Sequence, residues 1–184
     1  MYRRKLGEDD HVKDDIIQAY RTDHHQGNYI YRDMKTDVWE AGYRVPFFVS
    51  WPGRIEAKQQ SKSTITHTDI YSTLMNVTGF RTIRGRTEDS ISFMNTLIGH
   101  SITIRPPVVN HSANGTFALR DGEWKLVFSS GSGGCQRPKG KPFHGGLGLF
   151  NLDTDPSEIK NVVDNYPERV KAMTAQLAAI RGKN

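Results

Sequence analysis

The stretch MKTDVWEAGYRVPFFVSWPGRI, residues 34–55, places Lys35 five residues ahead of Glu40, in front of a Gly-Tyr-Arg-Val-Pro turn and a short apolar run. A lysine beside a strand end is either a solvated charge or a cation held at an anion-binding site. Glu40 and Arg44 suit a buried or half-buried pair that fixes the turn presenting Lys35, and truncating one partner of such a pair is costly. Gly42 allows that turn. His24, His25, Asn28 and Tyr29 lie just upstream and either line the mouth of the same pocket or are plain loop residues; their spacing is not a metal-ligand signature. His111 is open between two roles, a contact at a cleft beside a strand end and a satisfied histidine between sheets. His67 and Asp69 suit the capping and orienting of a helix. Cys135 is the single cysteine, which excludes an intrachain disulfide and a cysteine-based zinc site. Its surroundings, GSGGCQRPKG, offer no activating base, so it reads as an ordinary exposed thiol.

These residues need elements to hold them. DDHVKDDIIQAY suggests a weak helix with Ile16, Ile17 and Tyr20 inward. VPFFVSW, residues 45–51, opens on a proline, closes at Pro52-Gly53 and reads as a strand buried on both faces, as in a parallel sheet. THTDIYSTLMNVTGF predicts a helix with Thr68 or Asp69 as cap, Ile70, Leu74 and Val77 as its apolar face and Gly79 as its stop. SISFMNTLIG predicts a short helix capped by Ser90. After residue 100 the character changes: PPVVNHS, TFALRDGEWKLVF and LGLFNLD read as short strands, with a hairpin at Asp121-Gly122. The Gly-, Pro- and Lys-rich loop from Ser129 to Gly148 reads as mobile. Pro167 suits a helix first turn, followed by the stripe Val170, Met173, Leu177 and Ile180. The organisation expected is α/β: residues 1–100 as the end of an incomplete α/β domain, and residues 101–184 as a small antiparallel-sheet subdomain with a closing C-terminal helix. A parallel sheet needs several strands, and one is found here, so the others are expected upstream.

The 184 residues carry a net charge of +5 and are 36% hydrophobic, with a mean hydropathy of -0.61 and a pI near 9.3. No apolar run approaches the roughly 20 residues that span a bilayer. The opening MYRRKLGEDDHVKDD lacks the apolar core of a signal peptide. The expectation is a cytoplasmic protein or a chain whose natural start lies elsewhere. The basic excess is scattered and favours anionic partners without choosing among them.

Read together, IYRDMKTDVWEAGYRVPFFVSWPGRI, THTDIYSTLMNVTGF, EDSISFMNTLIG, VVNHSANGTFALRDGEWKLV and LFNLDTDPSEIKNVVDNYPERVKAM resemble the sulfatases of the arylsulfatase type, in order and spacing, from about Asp14 to Ile180. The resemblance implies the C-terminal part of an alkaline-phosphatase-like fold and hydrolysis of sulfate esters, aryl or carbohydrate. It implies a formylglycine nucleophile made within a C-x-P-x-R motif, and a calcium ion held mostly by ligands outside this chain. Cys135 is followed by Gln136, Arg137 and Pro138, the wrong order for that motif. Thr22-Asp23-His24-His25 only faintly echoes the S-D-N-G stretch that supplies two calcium ligands. Asp33 and Ala41 stand where the family has Gly, and Asn110 where many relatives have a second His.

The resemblance makes Lys35 the catalytic candidate, with His25, Asn28 and His111 as substrate-binding candidates and no metal ligand in the chain. It implies a sulfate ester as substrate and the N-terminal sulfatase portion as partner, with no specific nucleic acid and no membrane. It also implies a periplasmic or secreted full-length protein and a chain inactive by itself. The alternatives are a fragment of a related phosphoesterase or phosphonate hydrolase, and a non-catalytic polyanion-binding module.

Overall fold

The computed structural model describes residues 27–81, 87, 89–100 and 105–182. The expected helix near Asp14–Tyr20, and His24 and His25, lie outside them. The chain forms two compact units, one containing residues up to Arg44 together with Val109–Asn184, the other Val45–Val108. Among the described residues no helix is long and apolar enough to cross a membrane.

The first unit is built on a sheet in the order β1 (Val108–His111), β2 (Phe117–Asp121), β3 (Trp124–Val127), β4 (Gly148–Asn151). β3 is antiparallel to both β2 and β4. Asp121 pairs with Trp124, so the hairpin loop is Gly122-Glu123, one residue beyond the expected pair. Gly122 takes its first position at φ +59, the left-handed conformation that only glycine enters cheaply.

All four residues of β3 are buried, so both faces of the sheet are covered. On one face Leu119, Trp124, Leu126, Phe128 and Leu149 pack with Met173 and Leu177 of the closing helix α3 (Pro167–Arg181). Val170 and Ile180 complete the stripe, partly buried against the same cluster, and Pro167 sits in the first turn. On the other face Ala118, Val127, Phe150 and Leu152 pack with Val38 and Trp39, from the segment that carries Lys35. Strand alternation sorts the side chains this way. It also aims Arg120 and Lys125 at the Lys35 segment.

The second unit holds α1 (Asp69–Val77) and the four-residue α2 (Met94–Leu97). Several expectations change here. α1 buries Asp69, Ser72 and Thr73, while Leu74 is 56% exposed. Its inner face is polar because it bonds to the segment after it: Ser90 Oγ accepts from Ser72 N–H at 3.0 Å, and Thr73 Oγ1 accepts from Phe93 N–H at 3.1 Å. Ser90 thus serves α1 rather than capping α2. Residues 45–50 are not a buried strand: they belong to no sheet and all are exposed, Phe48 to 91%. A strand needs a neighbour's backbone, and no described residue supplies one to this run.

Replacing Leu119 by Ala, wholly buried in the sheet, is expected to cost about 2–5 kcal/mol. Replacing Phe48 by Lys should change stability by no more than about 0.5 kcal/mol. Urea denaturation followed by circular dichroism checks both.

Candidate active site

Lys35 is exposed and sits in a turn whose other members are half-buried or buried. The turn is tight: Asp37 N–H donates to Met34 O at 3.1 Å, and Asp37 Oδ2 accepts from Met34 N–H at 3.2 Å. Asp33 and Thr36 flank Lys35 at φ +61 and +84. For a β-branched threonine that is a strained conformation, kept only where surrounding bonds over-determine it. Those bonds come from two loops. Ala113 N–H donates to Thr36 O at 2.9 Å, and Val38 N–H to Ser132 O at 2.8 Å. Gln136 N–H donates to Asp37 Oδ1 at 3.2 Å, and Thr36 Oγ1 lies 3.2 Å from the exposed Cys135 thiol.

The loop 129–148 is therefore packed rather than loose in its first half. Ser129, Gly131, Ser132 and Gly133 are buried. Ser132 N–H and Gly133 N–H donate to Pro138 O and Lys139 O at 2.9 and 2.7 Å. Its glycines serve close backbone approach as much as freedom.

Downstream of Lys35, a single 3-10 turn spans Glu40–Gly42. Gly42 is needed because a Cβ there would stand 2.2 Å from Asp37 O. Glu40 accepts from Arg44 Nε at 3.0 Å, the pair expected from the sequence, but it does far more. Its Oε1 lies 3.2 Å from Lys125 Nζ and its Oε2 3.0 Å from Arg120 Nη1. Lys125, with no solvent exposure, also lies 2.8 Å from Glu158 Oε1. Glu158 Oε2 accepts from Glu40 N–H at 2.6 Å. Arg32 adds a bond to Glu158 O at 3.0 Å while stacking over Trp39 at 3.8 Å.

Burial pushes the Glu40 carboxyl up, but Lys125, Arg120 and the bond from Arg44 outweigh it and hold it below its ordinary value. Burial wins at Glu158, which lies above the ordinary value despite Lys125. Burial, followed by the charges of Asp37, Glu158 and Glu40, holds the Tyr43 hydroxyl well above its usual range. Asp33 is raised, by burial first, with Arg32 beside it opposing the shift.

The other candidates are placed as follows. Asn28 closes a turn on Tyr31 N–H at 3.0 Å and donates its side-chain N–H to Asp33 O at 2.5 Å, bracing the approach to Lys35. His111 is exposed at the end of β1. Its ring lies 6.1 Å from that of Phe117, and its Nδ1 is 3.1 Å from Ser112 O. A carbonyl only accepts, so Nδ1 carries the proton in that bond and Nε2 takes no part in it. The Thr36–Ala113 bond brings the turn of Lys35 and the end of β1 together. In the second unit Asp69 orients its helix by accepting from Thr66 N–H at 2.7 Å, from Ile91 N–H at 2.9 Å and from Arg105.

Sequence reasoning missed Asp37, Arg120, Lys125 and Glu158. One signal was available. The hairpin register sets Arg120 directly opposite Lys125, and like charges so placed are unfavourable unless an acid stands between them. For the calcium that the family resemblance implies, no cluster of three or more His, Cys, Asp or Glu able to hold a metal exists among the described residues. These residues by themselves do not make a complete calcium site.

A family model described as Sulfatase matches residues 5–80. The N-acetylgalactosamine-6-O-sulfatase of Bacteroides thetaiotaomicron is 29% identical over 177 residues, 94% of this chain and 34% of its own length. Mouse arylsulfatase K is 26% identical over 186 residues, covering 89% of this chain and 30% of its own. A solved structure from work on glycosaminoglycan metabolism by Bacteroides thetaiotaomicron superposes with a TM-score of 0.70 at 31% identity, over 83% of this chain and 32% of that one. The chain thus resembles the sulfatases in sequence and shares the fold of a solved relative, spanning about a third of the length of these proteins.

Because Glu40 answers three cations, Glu40→Gln is expected to cost about 3–5 kcal/mol. The contribution of Glu40 is complete above its ordinary value of 4.5 and vanishes as the pH falls through its lowered folded value. Denaturation below pH 5, compared between wild type and Glu40→Gln, should therefore show a shallower acid loss in the variant.

Proposed function

We propose that this chain is the C-terminal part of a sulfatase that hydrolyses a sulfate ester, and that Lys35 is its catalytic contribution. The observation that carries this reading is the presentation of Lys35. It is an exposed ammonium at the tip of a strained turn whose neighbours are buried and hydrogen-bonded, inside the segment matched by the family model. A solvated lysine needs no such support.

In the reaction the bond between sulfur and the bridging oxygen breaks, and the leaving alkoxide or phenoxide gathers negative charge. The Lys35 ammonium, standing against that oxygen and a sulfate oxygen, stabilises the charge as it grows. A fixed cation of this kind favours the transition state over the bound ester. His111 Nε2, free of the bond made by Nδ1, is suited to meet the part of the substrate beyond the sulfate. Asn28 serves the site by holding the backbone before Lys35. His25, outside the described residues, remains in this reading as a lining residue. A carbohydrate sulfate is the substrate class supported by the likeness to an N-acetylgalactosamine-6-O-sulfatase.

The nucleophile and the calcium site belong, in this reading, to the N-terminal portion. Purified 1–184 is accordingly expected to release no sulfate from an aryl sulfate or from a 6-O-sulfated sugar; turnover by the chain alone would refute the division of labour. In the complete enzyme, Lys35→Ala should lower kcat by about 10²–10³. Wild-type turnover in that variant would remove Lys35 from the chemistry.

A further inference from the structure

Resting on the reading that Lys35 meets the sulfate ester, we propose that Asp37 is a positioning residue. Its buried carboxylate clamps the Lys35 turn to the glycine-rich loop at Gly134–Gln136 and so sets where the ammonium stands.

The clamp has two halves. One oxygen of Asp37 takes the N–H of Met34 at 3.2 Å, on the chain before Lys35. The other takes the N–H of Gln136 at 3.2 Å, ninety-nine positions away. Asp37 has no exposure to solvent, and no cation pairs with it among the described residues. A buried carboxylate normally answers a positive charge; this one spends both oxygens on backbone N–H groups, which fixes geometry.

Lys35 lies within the turn that the Met34–Asp37 bond closes. Thr36, next to it, is held at φ +84, a conformation it would leave if released. Gly134 completes the fit: a Cβ there would stand 2.4 Å from Asp37 Oδ1 and 2.4 Å from Thr36 O. The glycine is thus required by the clamp, from the opposite side, and its φ does not explain it.

Two variants attack the two halves. Asp37→Asn keeps the size but turns an N–H₂ toward a backbone N–H. Gly134→Ala leaves Asp37 untouched and pushes it out of register. Native trypsin digestion of the 184-residue chain, read by mass spectrometry, compares cleavage after Lys35 with cleavage after Lys125, which is wholly buried and reports unfolding of the sheet. Both variants are expected to be cut after Lys35 several-fold faster than wild type, with cleavage after Lys125 unchanged. Unchanged cleavage after Lys35, or a rise only in step with Lys125, would overturn the clamp.

In the complete enzyme Asp37→Asn should lower kcat about tenfold or more with KM nearly constant, as misplacement of a catalytic group does. If Lys35→Ala lowers kcat as expected while Asp37→Asn turns over at the wild-type rate, the positioning role fails alone. If Lys35→Ala leaves turnover intact, the catalytic reading of Lys35 fails, and the proteolysis still judges the clamp.

Discussion

An ammonium with no access to solvent must find carboxylates, because the cost of stripping water from it is several kcal/mol. Lys125 imposes that demand at the centre of the sheet. Glu158 answers from the loop after β4 and Glu40 from a segment 85 positions before Lys125. Much else follows from those two contacts. Glu40 can reach Lys125 only if residues 34–44 lie across the sheet. That placement buries Val38 and Trp39, sets the 3-10 turn and leaves Lys35 at the edge as an exposed tip. Arg120, opposite Lys125 on the neighbouring strand, is tolerable for the same reason.

The two faces of the sheet are therefore held by different physics. The face under α3 is a close-packed apolar cluster of leucines, Met173 and two aromatic rings. It is non-directional and forgiving of volume-conserving changes. The opposite face combines a smaller apolar patch with a directional set of ion pairs and backbone hydrogen bonds. Directional contacts fix a segment's register to a fraction of an ångström, which an apolar patch of this size would not do alone. A residue that must present a charge to a reacting atom is best carried on such a face.

What could be read in advance was whatever is encoded locally. The β2–β3 hairpin, the antiparallel sheet and α3 with its Val170–Ile180 stripe depend on turn glycines, alternation and a 3.6-residue period, all within a few residues of one another. The Glu40–Arg44 pair was legible for the same reason. Glu158 and Lys125 were not, since their partners are separated by 118 and 85 positions. α1 misled because an amphipathic pattern was assumed to bury its apolar side, whereas its polar side is the one bonded to Ser90 and Phe93. The run VPFFVSW misled because its composition reports what it is fit to pair with, and a backbone becomes a strand only when that neighbour is present. The candidacy of Lys35 rests on family likeness, whereas the way it is held depends on contacts distant in sequence.

The long reach of the Glu40 contacts bears on how the chain is made. A ribosome delivers residues 34–44 well before the sheet that they cover. The meander of β2, β3 and β4 can close through contacts near in sequence, which form fast. Yet Lys125 has only part of its charge answered until Glu158 has also emerged. The contacts that hold the Lys35 segment are complete only once Glu158 is present, because its Oε2 accepts from Glu40 N–H. A polypeptide halted before residue 158 would leave Lys125 with Glu40 alone of its two carboxylates, and Glu40 N–H without its acceptor.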